Sequence, residues 1–69
     1  MQTSARNLIP GTVKSLNIGM VAAEVVIETA TGTEIVSVIT KESAERMGLK
    51  PGSEVKAMIK ATSVMVVTD

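Results

Sequence analysis

The chain has 69 residues, of which 45% are hydrophobic and none is aromatic, and seven basic and seven acidic residues leave a net charge of zero. A balanced charge argues against nucleic acid or an anionic membrane as the main partner, because both call for a basic surface. The lack of aromatic side chains also removes the stacking platform that single-stranded bases need, which argues against a nucleic-acid-binding barrel.

The small size of the chain bears on its domain organisation. We predict that residues 1–69 form one domain, and a domain of this length buries only about 60% of its unfolded surface. Without cysteine or histidine it has no disulfide or zinc site to stabilise it. We therefore expect it to complete its core by pairing with copies of itself. It carries no signal sequence or apolar run long enough to span a membrane, and we expect a cytoplasmic protein.

The first predicted strand covers residues 7–18 and is interrupted by Pro10-Gly11. Proline cannot donate a hydrogen bond to a neighbouring strand, and glycine inside a strand often marks a bulge, so we expect an edge position or a sharp bend there. A turn at residues 17–19 follows. The expected apolar contacts of this strand are Val13, Leu16 and Ile18.

The next two predicted strands form a hairpin. Residues 20–29 alternate in hydropathy, and residues 33–39 return as a β-branched strand after a short loop at residues 30–32. The expected inner face of the first of these strands consists of Val21, Ala23, Val25 and Ile27. The opposite faces also carry valines (Val26, Val36 and Val38), which predicts a subunit interface in a chain too small to cover them.

One short helix and two more strands complete the prediction. Thr40 suits the helix N-cap and Gly48 its C-terminal stop, and a turn follows at residues 50–53. Strands are predicted at residues 54–61 and 64–67. Five strands with one helix between the third and the fourth have the element order of a small oligonucleotide/oligosaccharide-binding-type barrel. The predicted fold class is all-β with one short helix, and a swapped β-sandwich satisfies the same pattern.

Three polar clusters lie at the ends of these elements. The arm (residues 4–7) precedes the first strand, the helix start contains Thr40 and Ser43, and the Lys60 turn (residues 60–63) follows the fourth strand. Their guanidinium, ammonium, hydroxyl and amide groups are hydrogen-bond donors, and their only obligate charges are positive. Together they suit a small oxygen-rich anion. Each cluster alone also has a structural interpretation, as a frayed terminus, a helix cap or a solvated strand end.

Groups typical of catalysis are missing from the sequence. There is no His or Cys, no Asp before Asp69, and no close pair of carboxylates in an apolar context. General acid–base, nucleophilic and metal-dependent hydrolytic chemistry use those groups, and the glycine-rich phosphate-binding loops are also absent. We therefore predict a protein that is not an enzyme and has no catalytic residues.

Four segments taken together resemble a known family: Ser4-Ala5-Arg6-Asn7, Thr40-x-x-Ser43, Met47-Gly48-Leu49-Lys50-Pro51-Gly52 and Ile59-Lys60-Ala61-Thr62. Over residues 3–67 the chain is similar to the Mop domain of molbindins, which are small cytoplasmic proteins that bind molybdate or tungstate. The oxyanion-binding domains of molybdate-responsive regulators are similar too, and the accessory domains of transport ATPases share the five-strand pattern. The chain departs from the family at Pro10, and Glu42 lies beside the helix start.

The resemblance implies a binding function and a ligand set. Molybdate or tungstate would be bound for intracellular storage, with the metal present only as its oxyanion and without an organic cofactor. The alternative is an oxyanion-sensing accessory module of a transporter or transcriptional regulator. The family assembles as a homo-hexamer, a trimer of dimers with sites between subunits, and we expect a neighbouring subunit to order the arm. The implied ligands are Ser4, Ala5, Arg6, Asn7, Thr40, Ser43, Lys60, Ala61 and Thr62.

Overall fold

Four strands and one short helix make up residues 2–69, the part of the chain that the computed structural model describes. All neighbouring strands are antiparallel, and their order in the sheet is β3-β2-β1-β4. The elements in chain order are β1 (Asn7–Ile18), β2 (Ala22–Thr29), β3 (Glu34–Thr40), α1 (Lys41–Arg46), β4 (Glu54–Ile59) and a 3₁₀ turn (Ala61–Ser63).

The long strand β1 pairs with two different strands along its length. Its first residues pair with β4, from Asn7 opposite Ile59 onward, and its later residues pair with β2. Pro10 lies where β1 pairs with β4 alone, which accommodates a residue that has no N–H to donate. The irregularity of the strand lies between Val13 and Ser15 rather than at Pro10-Gly11, where the sequence predicted it.

The core lies on one face of this sheet. Val13, Val25, Ile27 and Ala57 form its buried centre, surrounded by partly buried aliphatic side chains from β1, β3 and β4 and by Leu49. The predicted alternation of β2 is confirmed from Ala23 onward. Val21 is the exception: it lies in the turn before β2 and is 78% exposed, and Ile18 at the end of β1 is exposed as well.

Glycines end the helix and shape the turn that follows. Gly48 takes a left-handed φ of 62°, and the N–H of Leu49 donates to the carbonyl of Ala44 (3.1 Å), which closes the last turn of α1. Leu49 then packs against the core. Gly52 (φ 96°) forms the predicted turn with Pro51, closed by a hydrogen bond from the N–H of Ser53 to the carbonyl of Lys50 (3.0 Å).

The predicted fifth strand is absent from the sheet of the single described chain. β4 ends at Ile59, the 3₁₀ turn redirects the chain, and residues 64–67 pair with no strand of the described chain. We call residues 64–67 the C-terminal segment; its side chains range from 51% exposed at Val64 to 94% at Met65. The sheet is therefore curled but not closed into a five-stranded barrel, because no strand lies between β3 and β4.

An apolar gap remains between the edges of β3 and β4. Its volume is about 360 Å³. Side chains of both edge strands line it, together with Leu49 after the helix. The edge-strand side chains that define this gap are Ile35, Ile39, Val55 and Ile59.

We predict that Gly11→Ala destabilises the fold. A Cβ atom at this position would lie 2.6 Å from Cγ2 of Ile27 and 2.9 Å from the carbonyl oxygen of Glu28, so β1 and β2 would have to move apart. The expected loss is about 1–3 kcal/mol of the free energy of unfolding, measured by urea denaturation at one protein concentration. Ser15→Ala, at an exposed position of the same strand, is the control; equal stability of the two variants would contradict this account.

Candidate functional site

The arm lies against the end of β4. Asn7 is paired with Ile59, and its side-chain Nδ2 donates to the carbonyl oxygen of Ile59 at 3.2 Å. The hydroxyl of Thr3 contacts the sulfur of Met58 at 3.3 Å. The structure thus brings the arm and the Lys60 turn together. Within a single chain, the last residue of the arm, Asn7, is bonded to β4 of its own domain, whereas Ser4 and Arg6 are exposed.

Some backbone N–H groups of the arm and the Lys60 turn are hydrogen-bonded within the chain, and others have no partner in their own turn. The N–H of Ala5 donates to the hydroxyl of Thr3 (3.1 Å), which makes Thr3 a local partner that the sequence analysis missed. A threonine hydroxyl that accepts a hydrogen bond from the backbone N–H two residues later is a known local motif, and this spacing could have predicted the bond. In the 3₁₀ turn the N–H of Ser63 donates to the carbonyl of Lys60 (2.9 Å). The N–H groups of Ala61 and Thr62 begin this turn and so have no partner inside it.

The helix start is a hydrogen-bonded cap. Thr40 Oγ1 accepts from the N–H of Ser43 at 3.0 Å and donates to Oγ of Ser43 at 2.8 Å. The capping role of Thr40 is therefore confirmed. Because Ser43 accepts through its oxygen, its own hydroxyl proton is left to point elsewhere. This cap holds the two hydroxyls of the cluster in one hydrogen-bonded chain.

By strand register, the helix start lies at the other end of the sheet from the arm and the Lys60 turn. Thr40 is paired with Ala22, beside the end of β1, whereas Asn7 and Ile59 are paired at the start of β1. The structure therefore brings two of the three predicted clusters together and not the third. Their residues are accessible to water on a single chain, since Ser4, Arg6, Thr40, Lys60, Ala61 and Thr62 are exposed and Ala5, Asn7 and Ser43 are half-buried.

The positive charges of the arm and the Lys60 turn are not neutralised by carboxylates. Among residues 2–69, the ion pairs are those of Lys14 with Glu28 and Glu34. A hydrogen bond to Glu34 and the charge of its carboxylate raise the pKa of Lys14. Arg6 and Lys60 take part in none of these pairs, so both keep their charge available for an anion.

Two other features, a metal site and a membrane-spanning helix, are not found in the described part of the chain. No three His, Cys, Asp or Glu side chains of residues 2–69 come together as metal ligands. Over the same residues, no helix has the length and hydropathy to cross a membrane. The arm and the Lys60 turn are thus donor-rich, cationic and without carboxylates of their own, an arrangement that favours an anion over a cation. The helix start has a carboxylate beside it, that of Glu42.

Comparison with known proteins gives consistent matches. Residues 3–66 match the model of the TOBE domain. The chain is 47% identical over 66 residues to molybdenum-pterin-binding protein 1 of Clostridium pasteurianum, covering 96% of this chain and 97% of that protein. Its structure is similar to that of a molybdate-binding protein from Sporomusa ovata, with a TM-score of 0.93, 40% identity, and coverage of 99% of this chain and 100% of the other.

A third match is longer than this chain. The cytoplasmic molybdate-binding protein ModG, in a crystal form with molybdate bound, is similar with a TM-score of 0.86 and 49% sequence identity. The similarity covers 88% of this chain and 43% of ModG. The fold therefore also occurs as a part of a larger protein.

We predict that Thr40→Ala lowers thermal stability in the absence of any anion, because the N–H of Ser43 loses its acceptor. The expected loss is about 1 kcal/mol, which for a domain of this size lowers the melting temperature by about 4–8 °C. Thr40→Ser keeps an acceptor oxygen and should retain most of the stability. Differential scanning calorimetry checks both variants, and an unchanged melting temperature for Thr40→Ala would show that the cap contributes nothing measurable.

Proposed function

The chain belongs to the TOBE domain family, as one of its Mop-type molybdenum-pterin-binding proteins, and we propose that it binds molybdate at sites shared between its own copies. The observation that carries this proposal is the pairing of Asn7 with Ile59. That pairing sets two residues with unpaired positive charges, Arg6 and Lys60, next to each other in the fold.

The chemistry of molybdate matches the donors of the three clusters. Molybdate is a tetrahedral dianion, so its site needs donors that converge from several sides and little acceptor density. A hydrogen bond to a charged acceptor contributes about 1.5–3 kcal/mol. Tungstate has the same charge and shape, and we propose that it binds to the same groups. The proposed ligands are the side chains of Ser4, Arg6, Thr40, Ser43, Lys60 and Thr62 and the backbone at Ala5, Asn7 and Ala61.

A pterin fits this chain poorly, although the Clostridium relative is named for a molybdenum pterin. A flat heterocycle binds best in a concave pocket lined by apolar and aromatic side chains. This chain has no aromatic residue, and the residues of the three clusters are exposed or half-buried. We therefore propose that the ligand is the inorganic oxyanion, without an organic cofactor and without catalysis.

The open gap supports self-association through the C-terminal segment. A strand placed between β3 and β4 would pair with both edges and cover the aliphatic side chains that line the gap. The C-terminal segment is apolar and exposed, and its own 3₁₀ turn leads it out of the sheet. We propose that two copies exchange this segment, since exchange of an identical element is a low-cost route to a dimer.

Further apolar surface remains for contacts between dimers. Val36 and Val38 on β3 are 60% and 68% exposed, and Leu8 and Met58 are exposed on the paired strands β1 and β4. Burying such side chains between dimers is consistent with a homo-hexamer built as a trimer of dimers, which is the assembly we propose.

Assembly and anion binding would then depend on each other. The Lys60 turn immediately precedes the C-terminal segment, so an exchange places its donors at the boundary between two chains. An anion bound there stabilises the assembled state by mass action, and the assembled state excludes water from the anion. We propose that this coupling serves storage and buffering of the oxyanion in the cytoplasm, the compartment for which ModG is described.

We predict that Arg6→Ala and Lys60→Ala each weaken molybdate binding by about 10–100-fold, because each removes a charged donor worth roughly 1.5–3 kcal/mol. Isothermal titration calorimetry with molybdate measures the effect. Lys50→Ala removes an exposed lysine outside the three clusters and is the matched control, expected to bind as the wild-type chain does. A free pterin titrated into the wild-type chain should give no binding heat.

Two results would contradict the proposed site. Unchanged affinity in both Arg6→Ala and Lys60→Ala would show that the anion binds elsewhere or not at all. An equal loss in Lys50→Ala would show that binding depends only on the overall charge of the protein.

We also predict that alternate residues of the C-terminal segment differ in their effect on assembly. In a strand, one alternate pair would face the gap and the other would not, so Val64→Ser/Val66→Ser and Met65→Ser/Val67→Ser should behave differently. The pair that faces the gap should shift the mass in native mass spectrometry towards the monomer, and the other pair should assemble normally. A monomeric wild-type chain, or normal assembly of both variants, would contradict the exchange.

A further inference from the structure

We propose that the side chain of Asn7 is a positioning group that joins the arm to the Lys60 turn, and that this side chain acts on the anion through the turn rather than by direct contact. The proposal rests on the oxyanion function proposed above. It assigns to Asn7 a role different from that of its neighbour Arg6, although the two are adjacent in the arm.

The position of Asn7 favours such a role. It is the first paired residue of β1, and Ile59 is the last residue of β4, so the pairing of these two strands stops there. Beyond this point the bond from Nδ2 of Asn7 to the Ile59 carbonyl (3.2 Å) connects the two chain segments. Asn7 is half-buried, whereas Arg6 is exposed. The carboxamide is therefore directed to the backbone of its own domain.

The bond acts directly on the Lys60 turn. The Ile59 carbonyl and the Lys60 N–H belong to one planar peptide unit, so holding that carbonyl fixes the orientation of the plane from which the turn starts. The next carbonyl, of Lys60, accepts from Ser63 and closes the turn. Asn7 thus sets the direction in which the N–H groups of Ala61 and Thr62 are presented.

The chemistry of the carboxamide argues against a role as ligand. One of its N–H groups is already donated to Ile59. Its oxygen is an acceptor and would repel an oxyanion placed nearby. Arg6, by contrast, has five donors, a permanent charge and no acceptor, and it suits direct contact with the anion.

The test compares Asn7→Ala and Asn7→Asp with Asn17→Ala, an exposed asparagine near the other end of the same strand. The first measurement is the ¹⁵N order parameters of residues 60–63 without anion. We expect them to fall from values near 0.85 towards about 0.6 in Asn7→Ala and Asn7→Asp, because the turn loses its anchor. They should not change in Asn17→Ala. Urea unfolding of all three variants separates this local loosening from a general loss of stability.

The second measurement is molybdate affinity by calorimetry. Loss of one hydrogen bond predicts about five- to tenfold weaker binding for Asn7→Ala. Asn7→Asp should bind more weakly still, because its carboxylate repels the anion. In a Lys60→Ala background the effect of Asn7→Ala should shrink to about twofold, since residues that act through one another are not additive.

The outcomes separate this proposal from the proposed function. Unchanged order parameters in both Asn7 variants overturn the positioning role, whether or not molybdate binds. Loosened order parameters with full additivity between Asn7→Ala and Lys60→Ala overturn it too, and make Asn7 an independent ligand. A wild-type chain that binds no molybdate overturns the proposed function, while the order parameters alone still decide whether Asn7 holds the turn.

Discussion

The four-stranded sheet lacks the strand that would close it, and much of the structure depends on this. Four side chains, Val13, Val25, Ile27 and Ala57, form the buried centre of the core, and none of them is larger than isoleucine. Ile35, Ile39, Leu49 and Val55 are half-buried around a gap between β3 and β4. A domain of this length has little surface to bury, so leaving one side of its core uncovered removes a large part of its possible stability. This incomplete burial of the core gives a structural reason for the apolar C-terminal segment and the exposed valines of β3.

Strand β1 connects the incompletely covered core to the candidate site. Because it pairs with β4 at its start and with β2 later, one strand holds both sides of the sheet. The same pairing sets the arm beside the Lys60 turn, each of which carries a cation outside the ion pairs of the described chain. Gly11 lies at the crossing between the two partners, where the backbone of β2 approaches too closely for a side chain. The strand register that forms the core therefore also determines the geometry of the site.

Polar groups of the candidate site have structural partners even without an anion. Thr40 caps α1, Asn7 holds the end of β4, and Thr3 accepts from Ala5. These bonds keep the donors in place, so less conformational entropy is lost when a ligand arrives. Structural and functional interpretations of such residues do not exclude each other. The cap of Thr40 is confirmed by the structure, while its part in binding is a proposal.

Local chemistry in the sequence determined much of the fold. Alternating hydropathy, capping residues and turn glycines located β1 to β4, α1 and the turn at Gly52, because each depends on neighbours within a few residues. The motifs also identified the family. Only the tertiary structure decided that Val21 is exposed, that the arm lies on its own β4, and that the C-terminal segment leaves the sheet. The physical reason is that the hydropathy of residues 64–67 predicts that these side chains are buried but does not predict which strand edge they pack against. Strand register and the 3₁₀ turn after Lys60 determine the direction of the chain.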